Sequence, residues 1–534
     1  MKVGHCVIEC LEELGIKYSA GIPGSHVLSL YDGLASSRIK HLTVKFEGSA
    51  AVIADCYGRL TGEPMLVLVT TGPGATNTVT GVAQGYGAAS PMIIVSGSVR
   101  LDSGPSAFHG VDDPYFLVKI FGPITKYSKL ITSPEEVYKV ISRGYSIALD
   151  GRKGPVYIGV PRDIGEMNVK NKRGKCKVKV FKHPFSKHKL KEILKIISSK
   201  KVVLVLGAEV FTALENKFVL DVAEYLNSPI ISQIEGLGYI PQDSKFYGGY
   251  IEETWDIHPS AKRLLEEADY IIFIGLRPGE DEYTFVNDLS KVIYIGYTRG
   301  LKFNIKYEAV GDLFRYLNGL KEASTSSSAW YTKAIEEGIK ELNKHTDVET
   351  YGPTKRIHPG YVAKIISNYI PKDSLLVVDI GSHETWARIF MGAQYRVRYV
   401  YPSNYGAMGF AVPAAIGGWL AGYKDITVII GDGGLLMCME ELATISELDV
   451  DAKIFVFNDS SYGMIAQMQR DKYGREISAY MSEIDFSKIA SGMNVESIRV
   501  ERDPEDVIRD AYKHKGPILV DIVTDSKVKY ITFK

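Results

Sequence analysis

Cysteine is rare in this chain, with five residues scattered through 534 positions. The cysteines stand at positions 6, 10, 56, 176 and 438, and no two of them form a Cys-x-x-Cys pair. This spacing argues against a disulfide-rich scaffold and against a zinc ribbon. Cys6 and Cys10 share one face of a predicted helix, which suits burial and requires no metal. We therefore expect reduced thiols and a cytoplasmic protein.

Net charge and long hydrophobic runs are also lacking. The chain has 63 Lys and Arg residues against 63 Asp and Glu residues, so nothing steers it toward nucleic acid or an anionic membrane. The longest weakly polar run, residues 407–422, is too short and too rich in glycine to span a bilayer. The first residues form a helical stripe and lack a secretory pattern. We expect partners that are neither nucleic acids nor membranes.

What the sequence does contain is a repeated alternation of short apolar runs with helical stripes. Continuous apolar runs between helices are typical of parallel strands in a sheet that is covered on both faces. The runs lie at residues 65–69, 92–95, 156–160, 202–206, 270–274, 292–295, 375–379, 426–430, 453–457 and 518–523. The predicted fold class is α/β.

The chain is too long for one hydrophobic core, and two stretches of low apolar content divide it. These are the lysine-rich residues 170–191 and the serine-rich residues 323–328. The sequence therefore predicts three doubly wound parallel-sheet domains, at residues 1–168, 188–320 and 350–534. In such domains, ligands bind at the carboxyl ends of the strands.

The most informative stretch is Gly431-Asp432-Gly433-Gly434, directly after the apolar run at 426–430. A helical stripe follows at 435–448, and the next run, 453–457, ends in Asn458-Asp459. A right-handed strand–helix–strand unit would bring the two aspartates together. Mg²⁺ typically uses one or two carboxylates and completes its shell from phosphates and water. Helix N–H groups bind phosphate oxygens, and glycine allows a close approach. The pattern predicts a magnesium and phosphate site.

Each aspartate alone also fits a commoner structural role. Asp432 could cap a helix, and Asp459 could form an Asx-turn. The ordered pair is far more specific than either residue. A nicotinamide fingerprint fits poorly, because no third glycine follows at the required position.

Gly431-Asp432-Gly433 followed by Asn458-Asp459 resembles the thiamine diphosphate motif. The family is that of acetolactate synthases, pyruvate oxidases and 2-oxo acid decarboxylases, and the resemblance covers nearly the whole chain. Its members usually carry Asn as the second metal side chain, and Asp459 keeps an oxygen ligand while adding negative charge. The resemblance implies Mg²⁺ held by Asp432, Asp459 and the backbone carbonyl of Ser461.

The same resemblance implies the residues that hold thiamine diphosphate. Met408 would be the apolar support for the bent cofactor, although ordinary core packing is its alternative. The implied cofactor-binding residues are Gly24, Glu47, Pro73, Asn77, Ser382, His383, Met408, Gly431, Gly433, Gly434, Tyr462, Gly463 and Met464.

Glu47 follows a predicted strand and precedes an alanine-rich helix, as the activating glutamate of the family does. A carboxylic acid that is hydrogen-bonded to N1′ of the aminopyrimidine favours the imino form of this ring. The 4′ nitrogen of the imino form then takes the C2 proton. Taken alone, a glutamate at a strand end is more often a surface residue. In the family this glutamate and the diphosphate site come from different subunits. The resemblance therefore implies a homodimer or a dimer of dimers with active sites at the interface.

The reaction is less well defined than the cofactor. Acetolactate synthases usually carry Phe-Gln-Glu where this chain has Phe108-His109-Gly110. His109 and His26, both in loops, are candidate catalytic residues because histidine moves protons at neutral pH. A loop histidine is more often simply solvated.

Matches at 71–77, 121–127 and 405–410 favour an acetolactate synthase-like carboligase, which decarboxylates pyruvate and transfers the product to an acceptor. A non-oxidative 2-oxo acid decarboxylase is the alternative, and a catalytically silent paralogue or a flavin-dependent oxidase also stays open. A regulatory subunit is left open as well.

Flavin-dependent relatives hold FAD in the middle domain. Here the usual Met-His-Gly segment is absent near 235–238, and residues 275–280 lack the Arg-Phe-Asp-Asp pattern. The sequence does not favour FAD.

Overall fold

The computed structural model describes residues 1–104, 106–170, 176–252, 256–277, 285–286, 288–299, 305–323, 325–326, 328–347, 354–392, 397–402 and 405–533. Three α/β domains, each built on one sheet, follow one another along the chain. The prediction of three doubly wound domains is confirmed. The expected start of the third domain, residue 350, lies outside the described residues. Within those ranges, no helix has both the length and the apolar composition needed to cross a membrane.

The first domain contains six parallel strands. The strands are β1 (Tyr18–Gly21), β2 (Lys40–Thr43), β3 (Met65–Val69), β4 (Met92–Ser98), β5 (Tyr127–Leu130) and β6 (Val156–Pro161). The helices are α1 (Val3–Glu13), α2 (Leu28–Ala35), α3 (Glu47–Thr61), α4 (Pro73–Asn77), α5 (Val79–Gly87), α6 (Phe116–Phe121), α7 (Val137–Leu149) and α8 (Arg162–Glu166). The order is β2-β1-β3-β4-β6-β5, and every residue of the central strands β3 and β4 is buried. Uniformly apolar sequence is what a strand covered on both faces requires.

The middle domain has seven strands in the order β10-β9-β8-β7-β11-β12-β13. The strands are β7 (Val202–Leu206), β8 (Ile230–Gln233), β9 (Tyr247–Glu252), β10 (Asp256–Ile257), β11 (Tyr270–Ile274), β12 (Val292–Gly296) and β13 (Tyr307–Val310). The helices are α9 (Lys187–Ile197), α10 (Ala208–Ala213), α11 (Asn216–Tyr225), α12 (Pro259–Glu267), α13 (Leu313–Leu320) and α14 (Tyr331–Asn343). Among the described pairs of this sheet, only β9 and β10 run antiparallel. Helix α14, beyond the serine-rich stretch, packs on α12, where Arg263 pairs with Glu337 and Glu341.

The third domain repeats the six-stranded plan of the first, in the order β15-β14-β16-β17-β19-β18. The strands are β14 (Leu375–Val378), β15 (Arg398–Val400), β16 (Ile426–Gly431), β17 (Ala452–Asn458), β18 (Glu496–Val500) and β19 (Ile518–Val523). The helices are α15 (Pro359–Tyr369), α16 (Ser382–Ala387), α17 (Ala411–Leu420), α18 (Asp432–Leu435), α19 (Glu441–Glu447), α20 (Gly463–Tyr473), α21 (Phe486–Gly492) and α22 (Glu505–Lys513). The helical stripe expected at 435–448 is two helices, α18 and α19, separated by a turn.

The cysteines differ from the expectation of free thiols at one pair. Cys10, on α1, is joined by a disulfide to Cys176, which follows the first domain. Cys6, Cys56 and Cys438 are free and buried. The two bonded residues are 166 positions apart, so their proximity depends on the tertiary path of the chain and leaves no local signature.

The first and third domains pack directly against each other through α3 and α17. A Cβ at Gly417 would lie 2.5 Å from the backbone oxygen of Ile53, so the two helices approach to backbone contact. At the start of α3, the buried carboxylate of Glu441 accepts the backbone N–H groups of Lys45 (2.9 Å) and Phe46 (3.0 Å). No side chain caps α3 at Phe46, so this carboxylate from the third domain holds the backbone immediately before Glu47.

We expect Glu441→Ala to destabilise the protein by roughly 1–3 kcal/mol, because two N–H groups lose a charged acceptor. Glu441→Gln keeps an acceptor oxygen and should recover most of the loss. The matched control is Glu447→Ala on the same helix, which removes only an exposed ion pair with the Lys45 side chain and should cost less than about 1 kcal/mol. Denaturant unfolding of the variants measures the difference. Equal effects of the two alanine variants would contradict the assigned role of Glu441.

Candidate functional site

A cavity of about 260 Å³ opens at the carboxyl ends of β14, β16 and β17. The chain runs from β14 outward to β15 on one side and returns to β16 on the other. Doubly wound sheets bind ligands at such reversals of strand order. Twelve residues predicted from the sequence line this one cavity: Ser382, His383, Met408, Gly431, Asp432, Gly433, Gly434, Asp459, Ser461, Tyr462, Gly463 and Met464. Their individual roles remain predictions.

Asp432 and Asp459 are the acidic side chains at the ends of β16 and β17. Burial raises the pKa of Asp432 to about 7, and the negative charge of Asp459 adds to that shift. Burial also raises the pKa of Asp459 to about 6, against the hydrogen bonds from the hydroxyl and backbone N–H of Ser461. The Oδ2 atom of Asp432 is buried and has no hydrogen-bond partner. Two carboxylates held together in this way fit a divalent cation.

No group of three His, Cys, Asp or Glu side chains within the described ranges has the arrangement of a metal site. A magnesium site of the expected kind needs only two carboxylates. Its remaining ligands come from a backbone carbonyl, phosphate oxygens and water. The residues present therefore fit Mg²⁺ bound together with a diphosphate.

The glycines of the cavity are positions where a side chain has no room. A Cβ at Gly433 would lie 2.8 Å from the ring of Tyr462 and 3.3 Å from the terminal methyl of Met408. A Cβ at Gly463 would lie 2.8 Å from Oδ2 of Asp459. Glycine at these two positions thus lets the backbone itself line the cavity.

Asp379, at the end of β14, is a site residue whose role sequence reasoning missed. It is fully buried, and its carboxylate accepts the N–H groups of Ile380, Gly409, Phe410 and Ala411. Burial raises its pKa to about 6, against those four hydrogen bonds. Asp379 therefore fixes the start of α17 and the turn that carries Met408. The available signal was its position at a strand end beside the predicted Ser382 and His383.

His383 is a neutral imidazole at the cavity wall. It is buried, and burial lowers its pKa to about 4. Its Nε2 lies 3.1 Å from the backbone oxygen of Asp379, so this nitrogen carries the proton. Its ring packs close to the backbone of Gly381 and Gly431, where a Cβ would lie 2.7 Å and 3.0 Å from Cε1.

The candidates from the first domain form a second group, at the carboxyl edge of the first sheet. Asn77 donates from Nδ2 to Oε2 of Glu47 at 3.0 Å, across the short helix that begins at Pro73. A Cβ at Gly74 would lie 3.3 Å from Oε1 of Glu47, and a Cβ at Gly24 would lie 2.6 Å from Oγ1 of Thr70. The predicted Gly24, Glu47, Pro73 and Asn77 therefore share one edge of one domain.

His26 and His109 stack on each other beside this group, with ring centroids 5.6 Å apart. Burial and the neighbouring His109 lower the pKa of His26. His109 has a positive φ of 64°, and its backbone oxygen would lie 2.4 Å from a Cβ at Gly72. Phe108, stacked on His109 at 3.8 Å, is 71% exposed. Of these three rings only that of Phe108 is exposed, because His26 is buried and His109 is partly buried.

The predicted residues at the third sheet and those at the first sheet do not line a common cavity within one chain. None of the described residues that line the cavity belongs to the first domain. Glu47 itself is only partly buried. Both domains also carry large exposed apolar side chains: Phe46, Phe108, Val111, Tyr115 and Ile120 in the first domain, and Tyr405, Met437, Ile465 and Ile477 in the third. Such surfaces are typical of interfaces.

Comparison with known proteins gives one consistent result. Residues 1–114, 190–318 and 379–522 match the N-terminal TPP binding, central and C-terminal TPP binding domains of thiamine pyrophosphate enzymes. The chain is 30% identical to a probable acetolactate synthase large subunit of Methanocaldococcus jannaschii, over 98% of this chain and 92% of that protein. It is 29% identical to the acetolactate synthase large subunit of Lactococcus lactis, over 97% and 91%.

The Bacillus subtilis acetolactate synthase is 27% identical, over 97% of this chain and 92% of its own length. Matches to all three domains and to full-length relatives agree with the three sheets and with the cavity at the third. The chain therefore belongs to the thiamine pyrophosphate-dependent enzymes, in the group that resembles acetolactate synthase large subunits.

Proposed function

We propose that this protein is a Mg²⁺- and thiamine diphosphate-dependent carboligase of the acetolactate synthase type. The observation that carries the proposal is that Asp432, Asp459 and several glycines line one cavity. We propose that a diphosphate binds in this cavity. The names of the relatives, acetolactate synthase large subunits, support acetolactate as the product, and we propose pyruvate as the donor substrate. When bound, thiamine diphosphate supplies a nucleophilic carbon and an electron sink for decarboxylation.

We assign each predicted site residue a role according to its position. Asp432, Asp459 and the carbonyl of Ser461 would hold the cation, and the glycine backbone after Gly431 would lie against the diphosphate. Met408 and Tyr462, which face each other across Gly433, would support the cofactor from the apolar side. Glu47 would hold a proton at the pyrimidine ring, with Asn77 fixing its carboxylate.

The cation site generates a prediction about pH. Both aspartates have raised pKa values, so they are partly protonated near neutral pH, whereas Mg²⁺ binds only their ionised form. Mg²⁺ binding at saturating thiamine diphosphate should therefore release protons and weaken as the pH falls through about 7 and about 6. Calorimetry in buffers of different ionisation enthalpy measures the released protons.

Asp459→Asn is the informative variant, because an amide keeps the oxygen ligand and removes the repulsion on Asp432. We expect the variant to retain Mg²⁺ and to release fewer protons at the same pH. A wild-type protein that releases none, or a variant that releases more, would contradict the proposed cation site.

We also propose a homodimer, alone or within a dimer of dimers, in which Glu47 of one chain faces the cavity of its partner. Support comes from the separation of the two groups and from the exposed apolar side chains of both domains. Glu47→Gln and Asp432→Ala should each be inactive alone. A co-expressed mixture should recover about a quarter of wild-type activity, because half of the dimers are mixed and each mixed dimer has one intact site.

Differently tagged chains allow the mixed dimers to be purified and assayed separately. If each active site were instead built within one chain, activity would not recover, because every site would carry one of the two substitutions. Light scattering on the same samples gives the oligomeric state.

Incubation with pyruvate alone tests the reaction. We expect acetolactate as the main product and a loss of at least about 100-fold in kcat for Glu47→Gln, the usual scale for removing an acid–base group. Near wild-type turnover by Glu47→Gln would rule out the activating role.

A second candidate function, non-oxidative decarboxylation, is favoured by the stacked pair His26 and His109, which could supply a proton to the product. Acetaldehyde as the main product would support it. In that case His109→Gln, which restores the residue usual in acetolactate synthases, should shift the products toward acetolactate.

A further inference from the structure

The middle sheet has its own reversal of strand order, between β7 and β11. The chain runs from β7 to β8 on one side and later returns to β11 on the other. This is where a doubly wound domain binds a nucleotide, and flavin-dependent relatives hold FAD in this domain. The described residues at these strand ends are Gly207, Gly275, Leu276, Arg277 and the segment that follows β12. Residues 278–280, part of the stretch compared with flavin-dependent relatives, lie outside the described residues.

The described backbone on the two sides of this crevice is in direct contact. The N–H of Gly207 donates to the oxygen of Ile274 at 2.9 Å, and the N–H of Glu209 donates to the oxygen of Gly275 at 3.3 Å. A Cβ at Gly207 would lie 2.3 Å from the Cα of Leu276. The loops after β7 and β11 are therefore in direct contact. The N–H of Glu209, in the first turn of α10, is already used and does not face an open space.

The side chain of Glu209 lies at the same strand ends. It is 1% exposed and crosses the ends of β11 and β12. A Cβ at Gly275 would lie 2.7 Å from its Cβ, and a Cβ at Gly296 would lie 3.1 Å from its Oε2. Oε2 accepts the backbone N–H of Tyr297 at 2.8 Å, and Oε1 accepts the hydroxyl of Thr298 at 2.8 Å. These are donors of the kind that a phosphate group would use.

The groups around Glu209 act on its pKa in opposite directions. Burial is the largest influence and the net shift is upward, although the hydrogen bonds from Thr298 and Tyr297 and the positive charges of Arg152 and Arg277 lower the pKa. Arg152 belongs to the first domain and is itself buried, with its guanidinium over the ring of Tyr86. A buried arginine from one domain thus contributes positive charge near a buried carboxylate of the next.

We propose that Glu209 is a built-in anion that takes the place of a nucleotide diphosphate in the middle domain, and that this enzyme binds no FAD. The diphosphate of FAD would bring further negative charge onto a buried carboxylate whose two oxygens already have donors. It would also have to separate two loops that bond to each other. This proposal does not depend on the reaction catalysed at the third sheet.

The first test uses the full-length wild-type protein, purified without added flavin. We expect no flavin absorbance and no FAD binding tighter than about 100 μM by calorimetry or by quenching of flavin fluorescence. Thiamine diphosphate with Mg²⁺, titrated into the same preparation, is the control ligand. Copurified FAD, or titratable FAD binding, would overturn the proposal. Failure of thiamine diphosphate to bind would instead count against the proposed function and leave the FAD result unchanged.

The second test removes the anion. Glu209→Ala leaves the N–H of Tyr297 and the hydroxyl of Thr298 without their acceptor and should lower the thermal midpoint by roughly 5 °C or more. Acetate or inorganic phosphate should restore part of that shift in the variant and have a smaller effect on wild type. Glu215→Ala, an exposed glutamate shortly after the same helix, is the matched control and should not shift the midpoint.

An unchanged midpoint in Glu209→Ala would show that the carboxylate has no such structural role. If Glu209→Ala lost stability but neither acetate nor phosphate raised its thermal midpoint, the proposal that Glu209 takes the place of a phosphate would also be contradicted. If the variant does not fold, the FAD titration of the wild-type protein still decides the proposal.

Discussion

The candidate site depends on two carboxylates that line one cavity at the ends of neighbouring strands. Asp432 and Asp459 follow the parallel strands β16 and β17, which pair directly and are almost entirely buried. Burial raises the pKa of both carboxylates, which favours neutralising their charge. A divalent cation with an anionic ligand would do so. The glycines, the short helix α18 and the turn held by Asp379 all keep space beside these two side chains.

The second constraint, under our proposal, is that a single chain holds two incomplete parts of the active site. The contact between α3 and α17, together with the bond from Glu441 to the backbone before Glu47, fixes the first and third domains relative to each other. That arrangement keeps Glu47 out of the chain's own cavity, while both domains carry exposed apolar side chains. The same packing that stabilises the monomer therefore requires a partner for function under our proposal.

The middle and third sheets both contain a reversal of strand order, but the side chains at the two reversals differ. In the third sheet, the reversal of strand order is lined by glycines and by an aspartate oxygen without a partner. In the middle sheet, the corresponding place holds the side chain of Glu209, whose two oxygens both accept hydrogen bonds. Under our proposals, strand order creates a crevice in both sheets, and the side chains at the strand ends decide whether it holds a ligand.

The sequence by itself determined the strands that have uniformly apolar runs and the identity of their strand-end residues, because such runs and Gly-Asp-Gly have local causes in burial and close backbone approach. It did not reveal the Cys10–Cys176 bond, the four N–H groups gathered by Asp379, or the break between α18 and α19. Short edge strands such as β15 carried no apolar run to mark them. Only the tertiary structure decided that Glu209 lies at one crevice and that Glu47 lies apart from the other. Both depend on residues far apart in the chain, whose contacts leave no periodic signal.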